Sequence, residues 1–280
     1  MRNVLFVDKP SGMTSFDVCF KLRKVLNTRK IGHTGTLDPL ATGVMIVLFD
    51  KATKANQFLV SDRKTYRTRV LLGKQTDTLD IEGNILSEEE YDVPGKDVLE
   101  STLDSFLGKS KQTVPMTSAV KVDGKRLYQY QKQNIDVELP VRNIEVYSIS
   151  LTDMHEDGFS FECNVSSGTY IRALARDILD KLGIKGCVME LRRTMVDDIT
   201  IDMCDRLDDI LEGRYQTHDI GELLSKRYPA YEYEDMDDIM NGRKIKIDSD
   251  DEKVLIVHDG EALAIYEKNG SAYRCLRGLW

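Results

Sequence analysis

Twelve residues, Gly32-His33-Thr34-Gly35-Thr36-Leu37-Asp38-Pro39-Leu40-Ala41-Thr42-Gly43, constrain this chain more than any other segment. Three glycines let the backbone turn and approach a ligand closely, and Pro39 biases Asp38 toward an extended conformation that presents its carboxylate. A lone Asp-Pro is most simply a surface turn in which the aspartate bonds nearby backbone. Here Leu37, Leu40 and the apolar run Val44–Phe49 surround it with low-dielectric material, where an isolated carboxylate is costly, so a buried cation is expected close by. The segment is not a phosphate-binding loop of the Gly-x4-Gly-Lys-[Ser/Thr] kind, and His155, His218 and His258 lack metal-ligand spacing, so no metal site is expected.

The flanking pattern is mixed. Val4–Val7 reads as a strand, and Thr14-x-x-Asp17 as a capping box ahead of Val18, Leu22, Val25 and Leu26 at helical spacing, with Lys21, Arg23 and Lys24 on the wet face. Ala52–Val60 reads as a helix. Thr65–Leu72 alternates so that Tyr66, Thr68, Val70 and Leu72 share one face while Arg67 and Arg69 point the other way. A short helix over Leu99–Leu107 stops at Gly108, and Asp123-Gly124 predicts a hairpin between Ser118–Val122 and Leu127–Gln133. Ile144–Leu151 and Phe159–Val165 read as a second hairpin, and Thr169 as the opening of a helix that ends at Gly183 before a strand over Val188–Val196. Beyond Tyr228-Pro229 the character shifts to short apolar runs, Val254–Val257 and Leu263–Tyr266, separated by Asp259-Gly260. The expected organisation is therefore a domain over 1–228 and a small β-rich module over 229–280.

Arg172, in the first turn of the helix after Ser167-Gly168, is the best candidate for the cation, because a positive charge there opposes the helix dipole unless an anion lies nearby. Tyr66 offers a face for stacking on a base and a hydroxyl for hydrogen bonding, next to Arg63, Lys64, Arg67 and Arg69, which could grip phosphates. Gly73–Gly83 is rich in acids, but Leu79 and Ile81 stand where a calcium loop needs oxygens, so it reads as a hydrogen-bonded turn. The five cysteines are never closer than 17 residues, and reduced thiols are expected.

A formal charge of −8 argues at first sight against nucleic acid. Residues 1–75, however, hold 14 Lys/Arg against five acids, a local charge of +9, and the remaining chain carries −17. The local field decides what can dock. The opening residues lead into a strand-like run and not a signal-peptide core, and the longest aliphatic stretch, Val44–Phe49, is far short of a membrane span. A cytoplasmic protein that does not enter membranes is expected.

Several of these segments together resemble the TruB family of tRNA pseudouridine synthases. They are Asp8-Lys9-Pro10-Ser11-Gly12, the Gly32–Gly43 block, Lys64-Thr65-Tyr66-Arg67, Gly73–Gly83, Pro115 with Ser118–Lys121 and Gly124–Tyr128, Gly168–Arg172 and Leu191–Thr194. The resemblance covers about residues 3–196 and is of the bacterial type. The tail, with Met240-Asn241-Gly242-Arg243 and Leu276-Arg277, is similar to a short PUA RNA-binding domain. Thr117 departs from the family's usual aromatic or histidine, and Asp197 from its usual glycine.

This resemblance implies an α/β fold of the α+β type, a mixed and largely antiparallel sheet flanked by helices. It implies isomerisation of uridine 55 in the T-arm loop of tRNA, with no cofactor or metal. In the implied roles Asp38 is the nucleophile, paired with Arg172; attack on the ribose, attack on the base and initial removal of a ribose proton are all compatible with it. Tyr66 would stack on the flipped uracil and help remove the C5 proton, Tyr170 and Leu191 would line the base pocket, and His33 would fill the vacated stack. Lys9 joins the substrate-binding set. A monomer with the tRNA T-arm stem-loop as its partner, and no protein partner, is the corresponding expectation. A non-catalytic RNA-binding or tRNA-folding chaperone is the alternative, and it leaves the aspartate, arginine and tyrosine unexplained. A base-removing hydrolase would use the same carboxylate but release free uracil.

Overall fold

Residues 2–133 and 135–280 are described by a computed structural model. The chain divides into two units, the first made of Met1–Pro39, Gly43–Val60 and Ile201–Trp280 and the second of Leu40–Thr42 and Ser61–Thr200. The fold is α/β, with mixed β-pairing and helices on the sheets.

The first unit begins with strand β1 (Val4–Lys9) and helix α1 (Ser15–Val25). The expected capping box is present: Thr14 Oγ1 accepts from the Asp17 amide at 3.1 Å, and the Thr14 amide donates to the Asp17 carboxylate at 2.9 Å. It satisfies two otherwise orphaned amides at the start of the helix. α1 buries Ser15, Val18, Cys19 and Leu22, the stripe spaced three and four residues apart. Strand β2 (Ile31–His33) pairs with β3 (Thr42–Phe49), which also runs antiparallel to β1. β3 is buried from Gly43 through Phe49, with only its first residue, Thr42, half-buried, which explains why it reads as an unbroken apolar run. The helix expected over Ala52–Val60 is instead a 3-10 helix over Asp50–Phe58.

In the second unit, β4 (Arg63–Leu72) buries Tyr66, Thr68, Val70 and Leu72, the alternation the sequence predicts. A small ribbon of β5 (Lys74–Thr76) and β6 (Ile85–Glu88) and helix α2 (Lys96–Asp104) follow. After β7 (Gly108–Thr113), the Asp123-Gly124 turn links β8 (Lys121–Val122) to β9 (Lys125–Arg126) with positive φ at both turn residues, as expected. The segment expected to be the second strand of that hairpin is instead helix α3 (Leu127–Lys132). The ladder stops after two pairs because Leu127 turns inward, fully buried, and its amide bonds the Val120 carbonyl. The long strand β10 (Val141–His155) and β11 (Gly158–Ser166) form the second hairpin. Helix α4 (Ile171–Leu182) ends at Gly183, whose φ of 72° is the left-handed stop that glycine adopts most readily. Then come β12 (Gly186–Val196) and β13 (Ile199–Thr200). Within this unit the strand order is β12-β4-β11-β10-β7, antiparallel throughout.

The chain completes the first unit with β14 (Asp205–Arg206), parallel to β1, and helices α5 (Leu207–Leu211) and α6 (Ile220–Ser225). His218 stacks on Phe6 at 3.9 Å between ring centres. The remaining elements, β15 (Ala230–Glu232), α7 (Met236–Met240), β16 (Lys253–His258), β17 (Glu261–Asn269) and β18 (Ala272–Gly278), include a four-stranded sheet in that strand order. Its core of Ile239, Ile245, Val254, Ile256, Tyr266 and Tyr273 is its own. Among the described residues no helix is long and apolar enough to cross a membrane.

Candidate active site

In the first unit, the loop carrying Asp38 is held by both of its neighbours. Ser15, the first residue of α1, donates through Oγ to the Leu37 carbonyl at 3.1 Å and accepts from the Leu37 amide at 2.9 Å. On the other side, the Pro39 carbonyl accepts from the Gly12 amide at 2.9 Å and from Lys9 Nζ at 3.1 Å. Leu37 is buried beneath the loop, while Asp38 itself is half-buried. Two side chains and one backbone amide thus fix the residues before and after the aspartate. Lys9, expected among the substrate-binding residues, is completely buried, and its ammonium also donates to the Pro10 carbonyl at 2.9 Å. These two bonds tie its ammonium to the backbone on either side of the site. His33 ends β2 opposite Val47, and the Thr34 amide bonds the Ile46 carbonyl, so the start of the glycine-rich block is anchored to β3.

In the second unit, Tyr66 lies buried on β4 between Cys163 of β11 and Arg193 of β12. Burial pushes the Cys163 thiol far up, so this neighbour is a neutral, hydrophobic one. Leu191, also buried, lies opposite Thr68 on the same pair of strands. Helix α4 starts at Ile171, two residues later than the sequence suggests. Gln112 of β7 grips the backbone of Tyr170, accepting from its amide at 2.8 Å and donating to its carbonyl at 3.0 Å, and holds that residue in an extended conformation as the N-cap.

Arg172, the second residue of α4, is 4% exposed. Its Nη1 donates to the Thr78 carbonyl at 2.6 Å and to Thr117 Oγ1 at 2.7 Å, and lies 3.3 Å from Asp80 Oδ2. Asp80 is equally buried and is oriented by Thr78 Oγ1, which donates to it at 2.7 Å, and by the Glu82 amide at 3.2 Å. Gly83 closes this turn so tightly that a Cβ there would lie 2.2 Å from Thr78 Oγ1. Asp80 and Thr117 were not among the expected site residues. An acid set between Leu79 and Ile81 is the signal that pointed inward, and Thr117, noted only as a departure from the family pattern, supplies the arginine with an acceptor.

Of the four basic residues around Tyr66, three have partners within the unit. Arg69 bonds both Asp157 oxygens at 3.0 and 3.1 Å, Arg67 lies 3.8 Å from Glu162, and the Arg63 guanidinium sits 4.1 Å from the centre of the Tyr147 ring. Of the Arg192-Arg193 pair, Arg193 is buried and Arg192 bonds Thr42 at 3.2 Å. Asp197, the other departure, adopts φ 51° and accepts from the Asp62 and Arg63 amides at 2.8 and 3.1 Å. Aspartate tolerates this left-handed position because its side chain bonds local backbone, which explains how it replaces a glycine. Among the described residues no three or more His, Cys, Asp or Glu side chains cluster as metal ligands would.

The sequence over residues 23–171 matches the model of the TruB family pseudouridylate synthase N-terminal domain. The chain belongs to the TruB family. Among its TruB relatives, the tRNA pseudouridine synthase B of Alkaliphilus oremlandii is 40% identical over 82% of this chain and 75% of that protein. The protein of the same name from Lactobacillus delbrueckii subsp. bulgaricus is 33% identical over 98% of this chain and 96% of its own length. The fold is also found in the solved structure of a Cbf5-Nop10-Gar1 complex, with a TM-score of 0.72 at 24% identity over all of this chain and 85% of that one. The TruB family match spans the Asp38 loop, Tyr66, Asp80, Thr117 and Tyr170.

Proposed function

We propose that this protein isomerises uridine 55 in the T-arm loop of tRNA to pseudouridine, acting as a cytoplasmic monomer. The reaction breaks the bond between uracil N1 and ribose C1′, turns the base, and joins C5 to C1′; the C5 proton is lost and N1 gains one, so the product is an isomer. The observation that carries this reading is the anchoring of the Asp38 loop. A nucleophile is most effective when its approach is fixed before substrate arrives, and Leu37 and Pro39 are held on either side of this one.

Asp38 is the nucleophile, and Arg172 completes the catalytic set. Tyr66 stacks on the uracil after it leaves the RNA stack, and its hydroxyl assists removal of the C5 proton. Tyr170 and Leu191 line the base pocket and exclude water from the detached base. His33 takes the place of the flipped base in the loop. Lys9 serves the reaction by holding Pro39. Residues 229–280 act as a PUA-like RNA-binding module, a reading supported by their separate sheet and core.

The test is incubation with an unmodified T-arm stem-loop, and with the same RNA carrying cytidine at the target position, followed by nucleoside mapping. Pseudouridine at the target, absent from the control and from reactions with Asp38→Asn, is expected. Free uracil in place of pseudouridine would turn the reading to hydrolysis, and binding without modification would turn it to a chaperone. Tyr66→Phe is expected to bind RNA while its single-turnover rate falls.

A further inference from the structure

Helix α1 holds the Asp38 loop with its buried side and presents an unusual surface on the other. Phe16 and Phe20, one turn apart, are 62% and 61% exposed. Arg23 completes the stripe, its guanidinium 5.7 Å from the Phe16 ring centre and 5.6 Å from that of Phe20. Arg23 Nε is buried and has no hydrogen-bond partner among the described residues. Beside the stripe, Phe20, Arg23, Lys24, Asn27, Thr28 and Arg29 line an open concavity of about 540 Å³.

Two large aromatic rings in water are not stabilised by the fold, since the core stripe of this helix is Val18, Cys19 and Leu22. Their surroundings select among partners. Lys21, Arg23, Lys24, Arg29 and Lys30 lie within this short segment, and the carboxylate of its one acid, Asp17, is occupied by the Thr14 cap. Positive charge disfavours a cationic or neutral apolar partner, and flat apolar rings among cations match a nucleic acid, whose bases stack while its phosphates meet the ammonium and guanidinium groups. Bases in a regular duplex have both faces covered. The fitting ligand is therefore an unstacked or single-stranded nucleotide. Phe16 also follows directly on Ser15, whose hydroxyl holds Leu37, so the rings and the Asp38 loop are mounted on one rigid element.

We infer that Phe16, Phe20 and Arg23 form a second RNA contact, a stacking platform for an unpaired base of the RNA substrate, with Lys24 and Arg29 on its flanking phosphates. This rests on the proposed function for the identity of the RNA, and adds to it a binding site separate from the base pocket.

The experiment measures affinity of the full-length protein for an unmodified tRNA transcript over a range of salt concentrations. Phe16→Ala/Phe20→Ala is expected to bind at least about tenfold more weakly with an unchanged slope of log affinity against log salt, because stacking carries no counterion release. Phe16→Trp/Phe20→Trp should restore affinity, and Phe16→Leu/Phe20→Leu should not. Lys24→Ala/Arg29→Ala should instead flatten the slope by about one to two. Affinity unchanged in the double alanine variant, or full recovery by leucine, overturns the platform while leaving the proposed function intact. Loss of RNA affinity by the wild-type protein itself would overturn both. If the double alanine variant binds RNA normally but loses binding of an acidic peptide, the surface is a protein-docking site and the inference fails.

Discussion

The Arg172 guanidinium lies 3.3 Å from the Asp80 carboxylate, with both side chains almost wholly removed from water. The arginine projects from the first turn of α4, where the helix dipole disfavours it, and the acid compensates. Removing one member of such a pair strands the other. Asp80→Ala is expected to lower unfolding free energy by about 3 kcal/mol, and Asp80→Asn by less, since the amide oxygen keeps the bonds from Thr78 and Glu82 while its amino group, a donor, loses the pairing with the guanidinium. Because Arg172 then shifts, kcat should fall about 100-fold in Asp80→Asn with little change in KM. Urea melts and steady-state kinetics on the T-arm substrate measure both effects.

Lys9 and Ser15 hold the backbone beside Asp38, and their loss should be felt as misplacement. Lys9→Met leaves the Pro10 and Pro39 carbonyls without that donor, at an expected loss of about 2 kcal/mol. Ser15→Ala removes two bonds to Leu37, at about 1 to 2 kcal/mol. At a temperature where both variants remain folded, single-turnover rates should drop more than tenfold while RNA affinity stays within a factor of about three. A fall in affinity with an intact rate would give Lys9 the substrate-binding role that the sequence suggested.

Asp197 combines strained backbone with compensating bonds to the Asp62 and Arg63 amides. Asp197→Ala keeps the strain and loses the bonds, so a loss of about 2 to 3 kcal/mol is expected. Asp197→Gly relieves the strain and should cost about 1 kcal/mol. Equal losses in urea melts would show that the left-handed conformation contributes nothing.

Lys64 gives a pH signature. Burial, reinforced by the nearby positive charge of Arg193 and opposed by Asp197, lowers its ammonium from an ordinary 10.5 to about 8. Between these values the unfolded chain holds more protons than the folded one, so this group's contribution to stability rises with pH across the window; below about pH 8 its penalty is fully present. Lys64→Met removes the penalty. The stability advantage of that variant over wild type should be largest at pH 7 and shrink toward pH 10, as read from urea melts at one-unit intervals.

Local chemistry made much of this fold readable. The Thr14–Asp17 cap, the alternation of Tyr66, Thr68, Val70 and Leu72, the Gly183 stop and the Asp123-Gly124 turn each depend on residues within a few positions of one another. At the candidate site, single residues with local signals are readable from sequence, as Asp38 is from its glycines and proline. What stayed hidden depends on distant partners. Asp80 reads as a turn residue because its local bonds, to Thr78 and Glu82, are those of a turn, whereas the Arg172 bond to the Thr78 carbonyl spans 94 residues. Lys9 sits in a polar turn motif, and only the fold brings its ammonium to a carbonyl 30 residues away. Leu127 left the expected strand because burial of one side chain outweighed further ladder pairing.

The two bonds from Gln112 to the backbone of Tyr170 bear on how the proposed base pocket can change over generations. They hold the residue's main chain without using its ring. Position 170 can therefore exchange one side chain for another while helix α4 still begins at the same place and Arg172 still points the same way. Selection can tune what the pocket accepts at that position without dismantling the helix start, and the burden of constancy falls on the glutamine. A library randomised at 170 should retain many folded members, and one randomised at 112 few.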